Sequence, residues 1–370
     1  MKQRGVLKMG SKLRIGIIGT GGIAHNHMRS YLQMEDVEII GASDIIPGKA
    51  RAFLDEFGLT NVPDFTENDK LLALKPDGVS VCTYNTQHDV CAIAALKAGV
   101  NVLCEKPMSV TLDQAVAMSR AQVETGKILT IGFQPRYGAN MRMIRDIIQS
   151  GALGHVYYIQ TGGGRRRGIP GRTFVHKKYA GVGCLADIGC YGLDMALNSV
   201  GYRKPVTVSA YASDYFGKNP KYYRGEFDVD DFTCALVRFE DGLVLDFRMS
   251  WAMHMDTMGD TLFLGTEAGL KVKSPNPDVN WGGAWDGGVG DIYLYKDEVG
   301  KQVEIKIPKV EEDNKKNFFF LKCRDFCDAI ISNGPSPIPW QQIIYNQAII
   351  DGIIRSSAAK HEVDVVIPEI

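Results

Sequence analysis

Charge of one sign is missing from this chain. Its 370 residues carry 42 Lys and Arg against 43 Asp and Glu, a formal net charge of −1. So balanced a composition gives no electrostatic reason to expect nucleic acid or an anionic membrane as partner. Long apolar runs are missing as well: no stretch approaches the roughly 18 consecutive apolar residues of a membrane span. There is no internal repeat and no low-complexity block. The eight cysteines are scattered, many in apolar strand or helix patterns, which argues against a disulfide scaffold and for buried reduced thiols in a cytosolic protein. Cys323 and Cys327 stand one helical turn apart, but no second pair or histidine cluster accompanies them, and no metal is expected. Residues 1–11 are basic through Lys2, Arg4 and Lys8. They lack an apolar centre and a cleavage signature, so a disordered leader is expected there rather than a signal peptide.

What is present is 45% hydrophobic content over a length that suits two domains. The strongest local pattern runs from Leu13 to Asp44. An apolar, β-branched run ends in Gly19-Thr20-Gly21-Gly22-Ile23-Ala24, a helix-like stretch follows, and a second apolar run closes on Asp44. This is the Gly-x-Gly-x-x-Ala form of the dinucleotide-binding fingerprint. Gly19 permits the tight turn, Gly21 lets backbone N–H groups approach a pyrophosphate, and Ala24 lets helix and strand pack closely. The anion then sits at a helix N-terminus, where unpaired N–H groups and the dipole favour it.

Strands and helices continue to alternate up to Gln134, which predicts a parallel sheet with helices on both faces over residues 12–134. Loops at Gly19, Asp44, Asn85, Lys106 and Gln134 all follow strand ends and should converge on one crevice. Beyond Arg136 the grammar changes to antiparallel strands with a few helices, including a hairpin signal at Asp241-Gly242. Residues 135–370 are expected to form a second α/β domain packed directly on the first, with a large open sheet.

Two further motifs carry chemistry. Glu105-Lys106-Pro107 sits on a strand end in the crevice, and Pro107 keeps Lys106 extended. A lysine so placed can hold a hydroxyl or a developing alkoxide and depress the pKa of a neighbour; the plain alternative is a strand-end lysine in water. Asp187, Tyr191 and Asp194 fall on one helix face at i, i+4 and i+7. Their plain alternative is a capping acid beside a packed tyrosine.

Taken in order, these three motifs resemble the glucose–fructose oxidoreductase, inositol dehydrogenase and rhizopine catabolism (Gfo/Idh/MocA) family over about residues 13–366. The resemblance implies a Rossmann domain, a C-terminal α/β domain for substrate and oligomerisation, and NAD(P)-dependent chemistry at a sugar or cyclitol hydroxyl. It implies that Lys106 contacts the reacting hydroxyl and that Asp187 orients the substrate. Tyr191 stands where many members have histidine. A phenol ionises at about pH 10, so it would need a cation nearby to act as a base at neutral pH. Asp44 matches the position that chooses between dinucleotides. An acid there accepts ribose hydroxyls and repels a 2′-phosphate, and the next residues, Ile45 and Ile46, supply no cation to hold that phosphate, so the expected cofactor is NAD. Asn85 and His88 match the loop beside the nicotinamide ribose, with Glu105 and Gln134 alongside.

The run Arg165-Arg166-Arg167-Gly168-Ile169-Pro170-Gly171-Arg172-Thr173-Phe174 reads by charge alone as a solvated loop or an anion patch. Under the resemblance it approaches cofactor and sugar, with Arg165 and Arg167 as substrate candidates, and it points to members that oxidise carbon 3 of glucosides, of the levoglucosan dehydrogenase and C-glycoside 3-oxidase type. Trp281, in the glycine-rich stretch 280–288, is expected in a loop over the sugar; its plain alternative is a disordered hairpin. The expected reaction is NAD-dependent oxidation of a glucoside to a 3-keto glycoside by a cytosolic homo-oligomer, with a separate lyase or deglycosidase acting downstream. The rival readings are an NAD-dependent glycosidase on the same fold, an inositol or free-sugar dehydrogenase, and a non-catalytic dinucleotide-binding scaffold.

Overall fold

The computed structural model describes residues 12–255, 258–274, 288–311 and 317–370. The leader 1–11 and Trp281 lie outside the described residues. From the N-terminus, β1 (Leu13–Ile18), α1 (Gly22–Tyr31), β2 (Val37–Ser43), α2 (Lys49–Glu56), β3 (Asp64–Phe65), α3 (Asn68–Leu72), β4 (Gly78–Val81), α4 (His88–Lys97), β5 (Asn101–Cys104), α5 (Leu112–Thr125) and β6 (Leu129–Ile131) alternate. They build a six-stranded sheet in the order β3-β2-β1-β4-β5-β6, all parallel. β4 and most of β1 and β5 are buried, as strands covered on both faces must be, which explains their near-continuous apolar sequence.

The chain then forms α6 (Ala139–Gln149), β7 (Val156–Gly164), α7 (Lys177–Ala180), α8 (Cys190–Ser199), β8 (Pro205–Ser213), β9 (Phe232–Phe239), β10 (Val244–Ser250), β11 (Thr261–Gly265), β12 (Ala268–Val272), β13 (Ile292–Glu298) and β14 (Lys301–Ile307). α9 (Phe318–Ile331), α10 (Trp340–Ala359) and β15 (Val363–Asp364) follow. The second sheet has nine strands, β14-β13-β12-β11-β7-β10-β9-β8-β15, antiparallel except where β7 and β10 run side by side in parallel. β9 and β10 alternate buried and half-exposed positions, so one face packs on helices and the other is left partly exposed among the described residues.

Three local features depart from the sequence expectation. β7 continues through Gly162, Gly163 and Gly164 instead of ending before them. Gly162 permits this close pairing: its φ is +151° and a Cβ there would lie 1.8 Å from the Arg248 carbonyl oxygen. β12 was not anticipated; with Gly269 inside it, its signal is weak. The helix expected from Cys184 opens with a π-type turn over Leu185–Gly189 before α8 begins. α9 returns to the first sheet: Cys323, Phe326 and Cys327 share a buried core with Met28 and Tyr31 of α1.

Candidate active site

The turn after β1 is shaped for a dinucleotide. Gly19 has φ +83°, and a Cβ there would meet the Cys82 carbonyl oxygen at 2.8 Å. Around Gly21 and Gly22 a Cβ would meet nothing within 4 Å, so the backbone faces open space. α1 starts at Gly22 with Gly21 as an N-cap that offers no side-chain bond, leaving its first N–H groups without a cap from that residue. These residues, with Ile23, Ser43, Asp44, Ile45, Lys49, Thr83, Tyr84 and Gln87, line a crevice of about 1090 Å³ counting its open mouth. Its far wall comes from the second half of the chain, through Arg172, Thr173 and Phe174. The geometry fits a dinucleotide: open backbone donors at a helix start, an acid at the end of β2, and a crevice beyond the strand ends.

Asp44 is buried and densely bonded. Its Oδ2 accepts from the Thr20 N–H at 2.9 Å, the Thr20 hydroxyl at 2.9 Å and Lys49 Nζ at 2.9 Å, while Oδ1 accepts from the Ile46 N–H at 3.1 Å. Burial pushes its pKa up, but Lys49 and these N–H donors outweigh it and hold the carboxyl below its ordinary value. Thr20 therefore serves the crevice by fixing Asp44. Ile45 and Ile46 supply no cation, but Lys49, from the first turn of α2, does stand beside Asp44.

Several expected cofactor ligands have other partners. Asn85 donates to the Ala180 carbonyl at 3.0 Å, bridging the two halves of the chain. His88 is buried with Nδ1 2.7 Å from the Pro107 carbonyl oxygen, and burial lowers its pKa. It holds the Lys106-Pro107 corner, while Tyr84 and Gln87 line the crevice instead. Glu105 is buried too, bonded to His27 Nε2 at 2.8 Å and to Lys322 Nζ. Burial alone would raise its pKa, but Lys322 and His27 hold it well below the carboxylate range. Contact with solvent or cofactor was the expectation for these groups because a strand-end position does not show which way a side chain turns.

Lys106 meets the second half of the chain. Its Nζ donates to the Asp187 carbonyl oxygen at 2.6 Å and to Asp187 Oδ1 at 3.0 Å. The other carboxylate oxygen, Oδ2, accepts from the Trp251 indole N–H at 3.1 Å. Burial disfavours the ammonium, yet Asp187 outweighs it and raises the Lys106 pKa. Lys106 Nζ also lies 4.9 Å above the Tyr191 ring. The Tyr191 hydroxyl accepts from Gln134 Nε2 at 2.5 Å. Burial, then the negative charge of Glu105, pushes the Tyr191 pKa well above its ordinary value, so this phenol is neutral near pH 7. Asp194 forms a buried ion pair with Arg136, at 2.5 and 2.7 Å, and belongs to the packing of α8.

Arg165 is buried close enough to Asp187 to feel its charge; burial lowers its pKa to about 10. Its Nη1 donates to the Gly168 carbonyl at 2.8 Å. Arg167 points elsewhere. It donates to the Met253 carbonyl at 2.9 Å, lies 3.1 Å from His254 Nδ1, and stacks over the rings of Phe216 and Tyr222. Sequence reasoning missed Trp251 and Lys49, neither of which stands in a motif; the end of the arginine-rich run, Arg172 to Phe174, does reach the crevice. The cysteines are free, Cys323 and Cys327 being buried in α9, and among the described residues no group of three metal-binding side chains converges. Among the described residues one helical stretch, Lys177–Ser199, is apolar and long enough to cross a membrane, and its most apolar part is almost wholly buried inside the fold.

Residues 13–133 match the family model for the Gfo/Idh/MocA oxidoreductase family with NAD-binding Rossmann fold, and residues 141–271 match the model for the C-terminal domain of the same group. The chain is 32% identical over 315 residues to the D-glucoside 3-dehydrogenase of Escherichia coli K12, covering 82% of this chain and 85% of that one. Over 145 residues it is 34% identical to the inositol 2-dehydrogenase of Salmonella typhimurium LT2, a match covering 38% of this chain and 43% of that one. The structure of levoglucosan dehydrogenase with NADH and L-sorbose superposes with a TM-score of 0.81 at 21% identity, covering 97% of this chain and 100% of that one.

Proposed function

Because the chain belongs to the Gfo/Idh/MocA family of NAD-binding oxidoreductases, we propose that it oxidises a ring hydroxyl of a sugar or glycoside, at carbon 3 of a glucoside. The observation that carries this is the Lys106–Asp187 contact, which joins the residues just after β5 of the first sheet to the second half of the chain. Carbon 3 is favoured because the likeness to the D-glucoside 3-dehydrogenase spans both halves, whereas the likeness to the inositol dehydrogenase covers only 38% of the chain. In this reading residues 12–134 bind NAD and residues 135–370 bind the substrate.

Gly21, Gly22 and Ile23 would hold the pyrophosphate on the start of α1, Asp44 the adenosine ribose, and Arg172 would face them across the crevice. Bound NAD supplies the acceptor for the hydride that leaves the ring carbon. The rest is done by side chains. Lys106 donates a hydrogen bond to the reacting oxygen and stabilises the negative charge that grows on it. Asp187 takes the hydroxyl proton as general base. Trp251 fixes the carboxylate through its indole N–H, and Arg165 brings a positive charge close to it. Tyr191, neutral and anchored by Gln134, forms the wall under Lys106 and can donate its own proton to a sugar oxygen. The product carries a carbonyl that acidifies the adjacent C–H, which suits a downstream enzyme of the eliminating or deglycosylating type. A cytoplasmic homo-oligomer, assembled through the open face of the second sheet, completes the proposal.

The test is incubation of the purified protein with NAD and a panel of glucosides, free sugars and inositols, read by NADH absorbance and product analysis. Net NADH with an intact keto glycoside is expected. Free aglycone without net NADH would show a glycosidase instead, and turnover of inositol alone would move the substrate class. Lys106→Ala should lower turnover by about 10²–10⁴-fold while calorimetry still detects NAD binding; undiminished turnover overturns the mechanism.

A further inference from the structure

The end of β2 holds an arrangement that the fingerprint does not require. Lys49 is the first residue of α2, where the helix dipole disfavours a cation, and the first turn of that helix carries no acid of its own. Its compensating charge is Asp44, 2.9 Å away. A carboxylate has about four lone-pair sites, two on each oxygen. Three donors crowd Oδ2, two of them from Thr20, while Oδ1 has one, from the Ile46 N–H. The Thr20 and Ile46 contacts involve backbone N–H groups fixed by the turns. Lys49 is the partner that can leave, being 37% exposed on a flexible stem and lining the crevice.

We propose that Lys49 sets how strongly the crevice discriminates between NAD and NADP. It competes with the ribose hydroxyls for Asp44, which weakens NAD binding. It also cancels part of the charge with which Asp44 repels a 2′-phosphate and offers an ammonium to that phosphate, which strengthens NADP binding. Both effects act in the same direction, so the native pair is a moderate NAD selector rather than a strict one. This inference rests on the assignment of the crevice to the dinucleotide and is independent of the sugar.

Isothermal titration of NAD and of NADP into the substrate-free protein tests it. Lys49→Met should tighten NAD, weaken NADP, and move the ratio of their Kd values at least tenfold toward NAD. Lys49→Gln, which keeps a polar side chain without the charge, should weaken NADP in the same way. Asp44→Ala leaves Lys49 unpaired and should move the ratio toward NADP. If Asp44→Ala shifts the ratio but both Lys49 variants leave it within twofold of the native value, the role of Lys49 is overturned and the crevice assignment stands. If none of the variants alters binding of either nucleotide, or neither nucleotide binds, the crevice assignment falls as well.

Discussion

At the scale of single residues, the division of labour between Asp187 and Tyr191 rests on their surroundings. The phenol is buried and faces the negative charge of Glu105, while the carboxylate is bonded by Lys106 and Trp251. Asp187→Asn should therefore lower kcat by about 10²–10⁴-fold. Tyr191→Phe should lower it less than tenfold and leave the pH dependence of NADH formation unshifted. A larger loss in Tyr191→Phe than in Asp187→Asn, with a shifted pH dependence, would make the phenol the base. Asp231 offers a second residue-scale prediction. It is fully buried, and its Oδ2 accepts from the Gly217 N–H at 2.6 Å while Oδ1 has no partner among the described residues. Burial pushes its pKa up to about 6, with Asp214 and Asp230 adding to the rise. Unfolded, the same group titrates near pH 3.9. Between these values the folded state binds more protons than the unfolded one, so this contribution is present below about pH 4 and is lost as pH rises through about 6. Asp231→Asn should raise Tm more at pH 7.5 than at pH 4.5; equal changes at both, measured by calorimetry, would refute the assignment.

Among the elements, α9 has the largest reach. It lies late in the chain yet packs on α1 and sends Lys322 to Glu105, the residue preceding Lys106. Glu105 also meets His27, and His27 Nδ1 is 2.9 Å from the Ser80 hydroxyl, which the Tyr31 hydroxyl approaches to 2.7 Å. A buried polar chain thus supports the strand end that presents the lysine. Breaking a buried ion pair from one side costs about 3–5 kcal/mol, because the remaining charge is left uncompensated. Lys322→Met should destabilise the protein by that order in urea denaturation, and adding Glu105→Gln should recover part of the loss. A change under about 1 kcal/mol would mean that His27 alone satisfies Glu105.

For the whole molecule, the face of the nine-stranded sheet that no described helix covers is the feature to explain. The strand registers place Tyr211, Leu236, Tyr158, Leu262 and Tyr295 on that face, all of them partly or fully exposed. Asp246, Arg248, Gln160 and Lys271 share the face, so it is mixed rather than purely apolar. We propose that a second copy of the chain covers it in a closed symmetric pair or tetramer. Light scattering should report a dimer or larger species, and Leu262→Glu should shift it toward monomer. A monomeric wild-type protein at micromolar concentration would remove the sheet face as an interface.

Local pattern determined much of this protein. The run into Gly19, the acid at Asp44 and the alternation up to Gln134 made the parallel sheet and its crevice legible, because strand burial, tight turns and helix starts depend on residues close in sequence. Lys106 and Asp187 drew attention through the family resemblance, because local pattern alone suits a strand-end lysine in water or a capping acid equally well. Tertiary structure alone decided where side chains turn and whom they meet. Trp251 reaches Asp187 across 64 residues and Lys322 reaches Glu105 across 217, distances over which no sequence spacing carries information. His88 and Glu105 stood in the right loops but turned into the core. Lys49 stood only five residues from Asp44, yet its contact needed the turn through Gly48 that starts α2 with its ammonium on the acid.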